Sequence, residues 1–511
     1  MRRVRQALRG ALEAVELALD RVFTPAENPF YQLGALGILF LWVAFVSGVY
    51  LYIFFDTSIV NAYQSVEALT YGQRYAGGVI RSLHRYASGG LVLVMFVHLL
   101  REFALGRLRG MRWFSWITGL PVMVLIYVAG IGGYWLVWDK LAQYIAVATT
   151  EWLDALPIFG EPIARNFLSP SALSDRFFTL LVFLHIAAPV ILLFALWLHL
   201  QRISRAKIWV SRRLSLGIGL MLVVLSLIKP AISQGGPANL AIEATDVGLD
   251  WFYLIAYPLL DLWRGSLLWA VGTTMFVLLA ALPWLPPLRR PAPARVDLAH
   301  CNGCTRCFAD CPFGAIQMAP RSDGSAFTQE AVVDEDICVS CGICVGACPS
   351  STPFRRSEEL KTGIDLPDYS LRDLRTRTQA AARKLSGRSR VLIFGCDHGL
   401  PVNRLEGTNV GAVSLPCIAM LPPSFIDYAL SHGLADGVVI SGCAEGNCYN
   451  RFGIQWMKAR IARERDPYLR RRVPRDRLLQ IYLSPLQRRQ AARRIAEFAA
   501  RLPGSREEDA A

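Results

Sequence analysis

The chain has 511 residues, 53% hydrophobic and only 18% charged, where soluble domains carry roughly 25% charged residues. Its 54 basic and 40 acidic residues leave a net charge of +14. These values exclude a disordered chain and an ordinary soluble enzyme, and indicate a membrane part joined to a soluble part.

Residues 1–25 read as an amphipathic helix lying on the membrane surface. Leu8, Leu12, Val15, Leu19 and Val22 share one stripe, with Arg5, Arg9, Glu13 and Asp20 elsewhere. Six apolar stretches follow, at 33–55, 76–103, 117–137, 177–200, 214–228 and 267–284. About 20 such residues span a bilayer, so residues 26–290 are expected to form a six-span helical membrane domain. The loops after the second, fourth and sixth stretches are rich in arginine, and the opposite loops are poor in it. Positive-inside then puts both termini on the cytoplasmic side of a prokaryotic inner membrane.

Four histidines lie in this part. His84 and His98 share the second stretch, and His185 and His199 share the fourth. Each pair is 14 residues apart, close to four helical turns, so each pair sits on one face with a rise of about 21 Å. The two stretches run in the same direction. His84 is therefore level with His185, and His98 with His199. Two levels of two imidazoles describe an outer and an inner bis-histidine haem. Ionisable residues inside a membrane are costly and are usually functional.

Here the sequence resembles cytochrome b of the quinol-oxidising bc-type complexes, over about residues 25–290. The resemblance is carried by Arg81-Ser-Leu-His84-Arg85, by His185-Ile-Ala-Ala-Pro189 and by Gly133-Tyr134 through Trp138-Asp139. It implies that Gly34, Gly48, Gly119 and Gly133 let haem planes lie against helix backbones. It also implies that Arg81 and Arg85 pair with haem propionates, and that a homodimer is possible. One departure is Leu180, where the family usually has arginine. The family's outer quinol motif has a relaxed counterpart in Leu249-Asp250-Trp251-Phe252. There Asp250 is expected to take a proton from quinone in its reduced form, beside Trp251 and Phe252.

Proline-rich residues 285–294 end the membrane part, and 291–298 are expected to be a linker. All twelve cysteines follow, which excludes a disulfide scaffold spread through the chain and reads as metal ligands in a reducing compartment. Residues 299–352 carry two runs of C-x2-C-x2-C-x3-C-P, the ligand pattern of a two-cluster bacterial ferredoxin. One [4Fe-4S] cluster would take Cys301, Cys304, Cys307 and Cys348. The other would take Cys338, Cys341, Cys344 and Cys311. Zinc is the competing reading, because C-x2-C also serves zinc ribbons.

Residues 353–388 are expected to be a second linker. From 389 to 511 the pattern turns to a small α/β domain, with strands at 390–394, 410–415, 437–441 and 478–483. Cys396, Cys417 and Cys443 follow three of these strands, and Cys448 lies close behind. Strand ends of an open sheet share one edge, so the four can converge on a [2Fe-2S] cluster or zinc, or be buried structural cysteines. The stretch from Gly437 to Tyr449, with Leu415-Pro-Cys417, resembles the delta subunit of methyl-viologen-reducing hydrogenase. That resemblance implies a [2Fe-2S] cluster and transfer to or from a flavoprotein. Residues 451–501 hold 15 basic and 4 acidic residues. Arginines such as Arg470, Arg471, Arg472, Arg488 and Arg489 there would meet anionic headgroups or an acidic partner, or simply solvent.

No nucleotide-binding signature appears. The parts make a chain of redox centres: [2Fe-2S], two [4Fe-4S], then two b haems. The expected function is a quinone oxidoreductase subunit linking a cytoplasmic dehydrogenase, hydrogenase or flavoprotein to the quinone pool. The rivals are an electron-conducting anchor with quinone chemistry in a partner, quinol-driven reverse transfer to a low-potential acceptor, and a truncated bc-type complex feeding a Rieske protein. The charge then belongs to membrane placement and docking, not to nucleic acid.

Overall fold

A segment in lipid must satisfy its own backbone hydrogen bonds, so apolar runs become helices. The computed structural model describes residues 2–73, 75–158, 168, 173–285, 290–356 and 358–502. Arg74, Arg165, Arg289 and residues 286–288 of the connector, which enter the charge and linker expectations, lie outside the described residues. The chain divides into two units, Met1–Arg9 with Ala26–Pro287, and Gly10–Pro25 with Leu288–Ala511.

The longer helices up to residue 281 are α1 (Arg2–Leu19), α2 (Leu33–Phe54), α3 (Ala76–Ala104), α4 (Trp113–Val137), α5 (Lys140–Asp154), α6 (Asp175–Leu200), α7 (Arg212–Ile228) and α8 (Gly265–Ala281). Among the described residues, five helices are long and apolar enough to cross a membrane, built on α2, α3, α4, α6 and α8. The expected fifth span, 214–228, is the helix α7, whose 17 residues rise about 25 Å against a hydrocarbon core of about 30 Å. Its end has a local cause. Pro230 cannot continue a helix and disfavours helical backbone at Lys229, which turns to ψ 76°. Helix α5 is amphipathic and is not one of these spans. It buries Leu141, Ala142, Ile145 and Ala146, and Asp139 caps it by accepting from the Ala142 N–H at 2.8 Å.

In the second unit, strands β1 (Arg295–Val296) and β4 (Ile364–Asp365) pair antiparallel, as do β2 (Ile316–Pro320) and β3 (Gln329–Val333). Helices α9 (Arg306–Asp310) and α10 (Ile343–Ala347) each stand among one cysteine run. Then α11 (Leu371–Arg383) leads to a four-stranded parallel sheet in the order β6-β5-β7-β8. Its strands are β5 (Val391–Cys396), β6 (Val410–Leu415), β7 (Gly437–Gly442) and β8 (Leu478–Tyr482), joined by α12 (Ser424–Ser431) and α13 (Gly453–Ala462) and followed by α14 (Arg488–Ala499). Strands β5 and β7 are buried at every position, as central parallel strands should be.

Three expectations are corrected. The stretches 291–298 and 353–388 are not linkers. The Ser340 hydroxyl donates to Ala292 O at 2.6 Å, β1 pairs β4, and Leu360, Ile364, Leu366, Leu371 and Leu374 enter one core with Phe394 and Val438. The iron–sulfur module and the α/β domain therefore share a hydrophobic interior. Nor is residue 1–25 simply a surface helix. Its Glu13 and Glu16 are buried, accepting from the Ser484 hydroxyl at 3.0 Å and the Asn447 amide at 3.2 Å, while Val15 and Val22 are exposed. The carboxylates turn inward because polar partners meet them there. Arg470 and Arg472 of the basic tail, both about half exposed, pair with buried Asp427 at 2.8 and 2.7 Å.

Candidate redox sites

Helix α2 packs along α3, and α4 along α6. This sets each glycine helix against a histidine helix. A Cβ on Gly48 would lie 3.0 Å from His84 Cε1, and one on Gly133 3.0 Å from His185 Cε1. At the other level, a Cβ on Gly119 would lie 3.2 Å from His199 Cε1, and one on Gly34 3.8 Å from His98 Cε1. The His84, His185 and His199 rings thus fill the space a missing side chain leaves, while His98 makes an ordinary contact with Gly34.

The rings are also oriented. His84 Nδ1 lies 2.8 Å from Ala44 O, and His185 Nδ1 2.9 Å from Ala129 O. A carbonyl only accepts, so each Nδ1 carries the proton and each Nε2 keeps its lone pair for a metal. His199 Nδ1 stands 3.2 Å from Thr118 Oγ1. The His84 and His185 rings are 6.3 Å apart between centroids. Two imidazole nitrogens each about 2 Å from one metal ion give a centroid spacing of about 6 Å. The residues present therefore fit haem iron, which His84 and His185 would hold.

Arg81 and Arg85 flank His84. Arg81 donates to Thr70 Oγ1 at 2.7 Å and Ser233 Oγ at 2.9 Å and pairs with Glu67 at 3.5 Å, so its donors are held by protein groups. Arg85 pairs with Asp250 Oδ2 at 2.6 Å, and Tyr134 donates its hydroxyl to the same oxygen. Asp250 Oδ1 accepts from the Tyr253 N–H at 2.7 Å. Trp251 is exposed, while the Phe252 ring lies against Gly89, where a Cβ would be 3.2 Å away. Sequence reasoning missed Tyr253. It is buried, its hydroxyl is 2.8 Å from Ser88 Oγ, and a Cβ on Gly130 would stand 2.0 Å from its ring. The signal was its place immediately after Phe252.

In the second unit several cysteines of the two runs lie close together. Burial pushes the Cys307 thiol up to about 12, with Cys348, Cys304 and Cys301 adding. Burial likewise pushes Cys341 up to about 12, with Cys311 and Cys338 adding, and raises Cys344, whose neighbours are Cys341, Cys338, Cys307 and Cys311. Cys311, Cys338, Cys341 and Cys344 line one cavity. Backbone N–H groups of Ala315 and Ala294 point at Cys311 Sγ and Cys338 Sγ at 3.3 and 3.5 Å. Thiols crowded and buried in this way ionise only beside a strong positive charge, which iron would supply.

Cys396 ends β5, Cys443 follows β7, and Cys417 lies two residues past β6. These are the carboxyl ends of neighbouring strands, at the point where the chain's crossings change direction. Cys396 Sγ and Cys443 Sγ are 3.7 Å apart. Two sulfurs about 2.3 Å from one tetrahedral metal are separated by about that distance. Cys443 is pushed up to about 12, first by its bond with Cys396. A Cβ on Gly453 would lie 2.5 Å from Cys417 Sγ and 3.5 Å from Cys448 Sγ, so both of these flank the start of α13.

Paired histidines within apolar helices, joined to a cysteine-rich unit, define a membrane electron-transport protein. Comparison with known proteins gives the parts their kinship. Residues 19–207 match the family model for cytochrome b/b6/petB, residues 300–352 that of the 4Fe-4S dicluster domain, and residues 400–504 that of the delta subunit of methyl-viologen-reducing hydrogenase. Among solved structures, one titled hyperthermophilic respiratory Complex III is similar at 19% identity with a TM-score of 0.40, over 51% of this chain and 77% of that chain. The chain thus joins a cytochrome b part, which implies b haem, to a dicluster part, which implies iron–sulfur clusters. All four histidines fall within the first match, whereas Asp250 lies beyond it and Cys396 just precedes the third.

Proposed function

We propose that this chain is the membrane subunit of a quinone oxidoreductase, passing electrons between a cytoplasmic dehydrogenase, hydrogenase or flavoprotein and the quinone pool. The observation that carries the reading is the registration of four glycines on four histidines, with the His84 and His185 rings 6.3 Å apart. His84 and His185 would hold the outer haem, and His98 and His199 the inner one. Cys301, Cys304, Cys307 and Cys348 would hold one [4Fe-4S] cluster, and Cys311, Cys338, Cys341 and Cys344 the other. Cys396, Cys417, Cys443 and Cys448 would hold a [2Fe-2S] cluster. These groups supply one-electron carriers, and the protein's part is to orient their ligands and exclude water.

Asp250 would pass a proton to quinone as it is reduced, or take one from quinol in the reverse direction, at Oδ2, the oxygen that Arg85 and Tyr134 already hold, with Phe252 and Trp251 as the apolar wall. Arg81 and Arg85, which flank His84, would be the residues to meet a propionate. Both termini and the second unit are assigned to the cytoplasm of a prokaryotic cell. That orientation needs α7 to cross as the sixth span, with Arg212, Arg213 and Lys229 reaching to the headgroups from its ends. With low-potential donors the downhill direction is towards quinone.

The test is a redox titration of the purified chain by optical and EPR spectroscopy, with quinone reduction followed in vesicles. Two b-type haem transitions and three cluster signals are expected. His84→Ala should remove one haem and leave the other. Turnover that needs no quinone would overturn the reading.

A further inference from the structure

Arg460, near the end of α13, is completely buried. Its Nη1 donates to Ala419 O at 2.7 Å, two residues after Cys417. Its Nη2 donates to Asp310 Oδ2 at 2.5 Å, the residue before Cys311, and stands 3.5 Å from Ile343 O, between Cys341 and Cys344. One planar fork therefore grips the segments that bear ligands of two different sites. The sites themselves abut. Cys417 packs with Ile343, Ala419 and Trp456, and Cys341 lies against the same cluster. A Cβ on Gly346 would stand 2.0 Å from Ala419 O, so α10 rests directly on the turn after Cys417.

The charge here is unbalanced. Arg465 Nε donates to Asp310 Oδ1 at 2.7 Å, and its guanidinium lies 3.6 Å from the Trp456 ring centre. Two cations thus share one carboxylate, leaving a net positive charge in a poorly solvated place. Burying charge is costly, and such groups are often replaceable by apolar residues without loss of stability. In a low dielectric, however, an uncompensated cation acts strongly on nearby charge. Each iron–sulfur site becomes more negative by one charge when it accepts an electron, so a fixed cation favours its reduced form.

We propose that Arg460 is a positioning residue that clamps the Cys396/Cys417/Cys443/Cys448 site onto the Cys311/Cys338/Cys341/Cys344 site and raises the affinity of both for an electron. The cluster held by Cys311, Cys338, Cys341 and Cys344 is then the direct exchange partner of the [2Fe-2S] centre. The site of Cys301, Cys304, Cys307 and Cys348 follows it, since the cluster packed around Cys417 takes in Cys341 and none of these four. The inference rests on reading these cysteines as cluster ligands.

The experiment is an EPR redox titration of the full-length protein, wild type against Arg460→Gln and Arg460→Lys, with iron and sulfide quantified. Absence of three clusters in the wild type would fail the cluster reading itself, before Arg460 is tested. With the clusters present, Arg460→Gln should lower the midpoint potentials of the [2Fe-2S] centre and of one [4Fe-4S] centre only. Arg460→Lys keeps the charge but loses the planar fork. It should hold the potentials near wild type while weakening the magnetic interaction between those two centres. Should Arg460→Gln lose its clusters, Arg465→Gln removes the second charge from a partly exposed position and should give a smaller shift of the same sign. Unchanged potentials in the glutamine variants, or an equal shift in all three centres, would overturn the proposal.

Discussion

Gly453 opens α13 with its backbone pressed against two thiols. A methyl group there would sit 2.5 Å from Cys417 Sγ, well inside contact distance, and Cys417 is buried on all sides. Gly453→Ala should therefore displace the sulfur and abolish the [2Fe-2S] EPR signal while both [4Fe-4S] signals survive; retention of all three would show that the pocket has slack that tight packing excludes. Asp250 makes a second case at this scale. Its Oδ2 is held by Arg85 and Tyr134 and its Oδ1 by the Tyr253 N–H. Asn in its place keeps the shape and loses the proton acceptor. Asp250→Asn should slow quinol-driven haem reduction about 100-fold, the usual worth of a positioned general base, with the haem spectra unchanged in stopped-flow absorbance. Both sites were partly legible in sequence. The cysteines announced themselves by spacing, whereas Gly453 did not, because its role depends on where α13 starts in space. Likewise Tyr134 and Tyr253 are ordinary aromatics until the fold folds them over Asp250 and Gly130.

Among elements, the parallel strands were the most readable. Their runs of Val and Ile bounded by glycine mark them, and the expected 410–415 coincides with β6. What escaped were segments that look polar in sequence but bury one narrow face. In α11, Leu371, Leu374, Thr378 and Ala382 go inward amid arginines, and Ser370 with Asp373 forms a capping box. The same sheet offers a pH test. Arg390, just before β5, donates from its backbone N–H to Asp436 Oδ2 at 2.7 Å and from Nη2 to Oδ1 at 3.0 Å. Burial alone would raise the Asp436 carboxyl, but these Arg390 bonds hold it below the usual carboxylate range. A lowered folded value means the stabilisation is present above the unfolded pKa of about 3.9 and is lost as pH falls through the folded one. Both side chains are about one-third exposed, so solvent screening limits the effect to about 0.5–1 kcal/mol. Asp436→Asn should lower the Tm of the soluble part at pH 7, and the deficit should shrink as the pH falls below about 3.9 and through the lowered folded value. A Tm deficit that persists in acid would mean the substitution acts by packing rather than charge.

For the whole molecule, the claim is a single electrical path whose ends can be interrogated separately. The proposed order runs from the [2Fe-2S] site through the two [4Fe-4S] sites to the haems and quinone. A protein donor too large to enter the interior, such as reduced flavodoxin, can deliver electrons only at the soluble end. Quinol delivers them only at the membrane end. Cys448 is the half-exposed member of its site, and the other three cysteines are buried. Cys448→Ser therefore breaks the outermost carrier with little disturbance of the core. Haem reduction by flavodoxin should fall at least about 10-fold, a loss of about 1.4 kcal/mol or more in the barrier sense, whereas haem reduction by quinol should keep its wild-type rate. A variant that still passes flavodoxin electrons to haem at the wild-type rate would place the entry point at a [4Fe-4S] cluster instead. Equal loss from both ends would mean that the substitution had disturbed the shared core through which Cys396, Cys443 and the dicluster part are packed together.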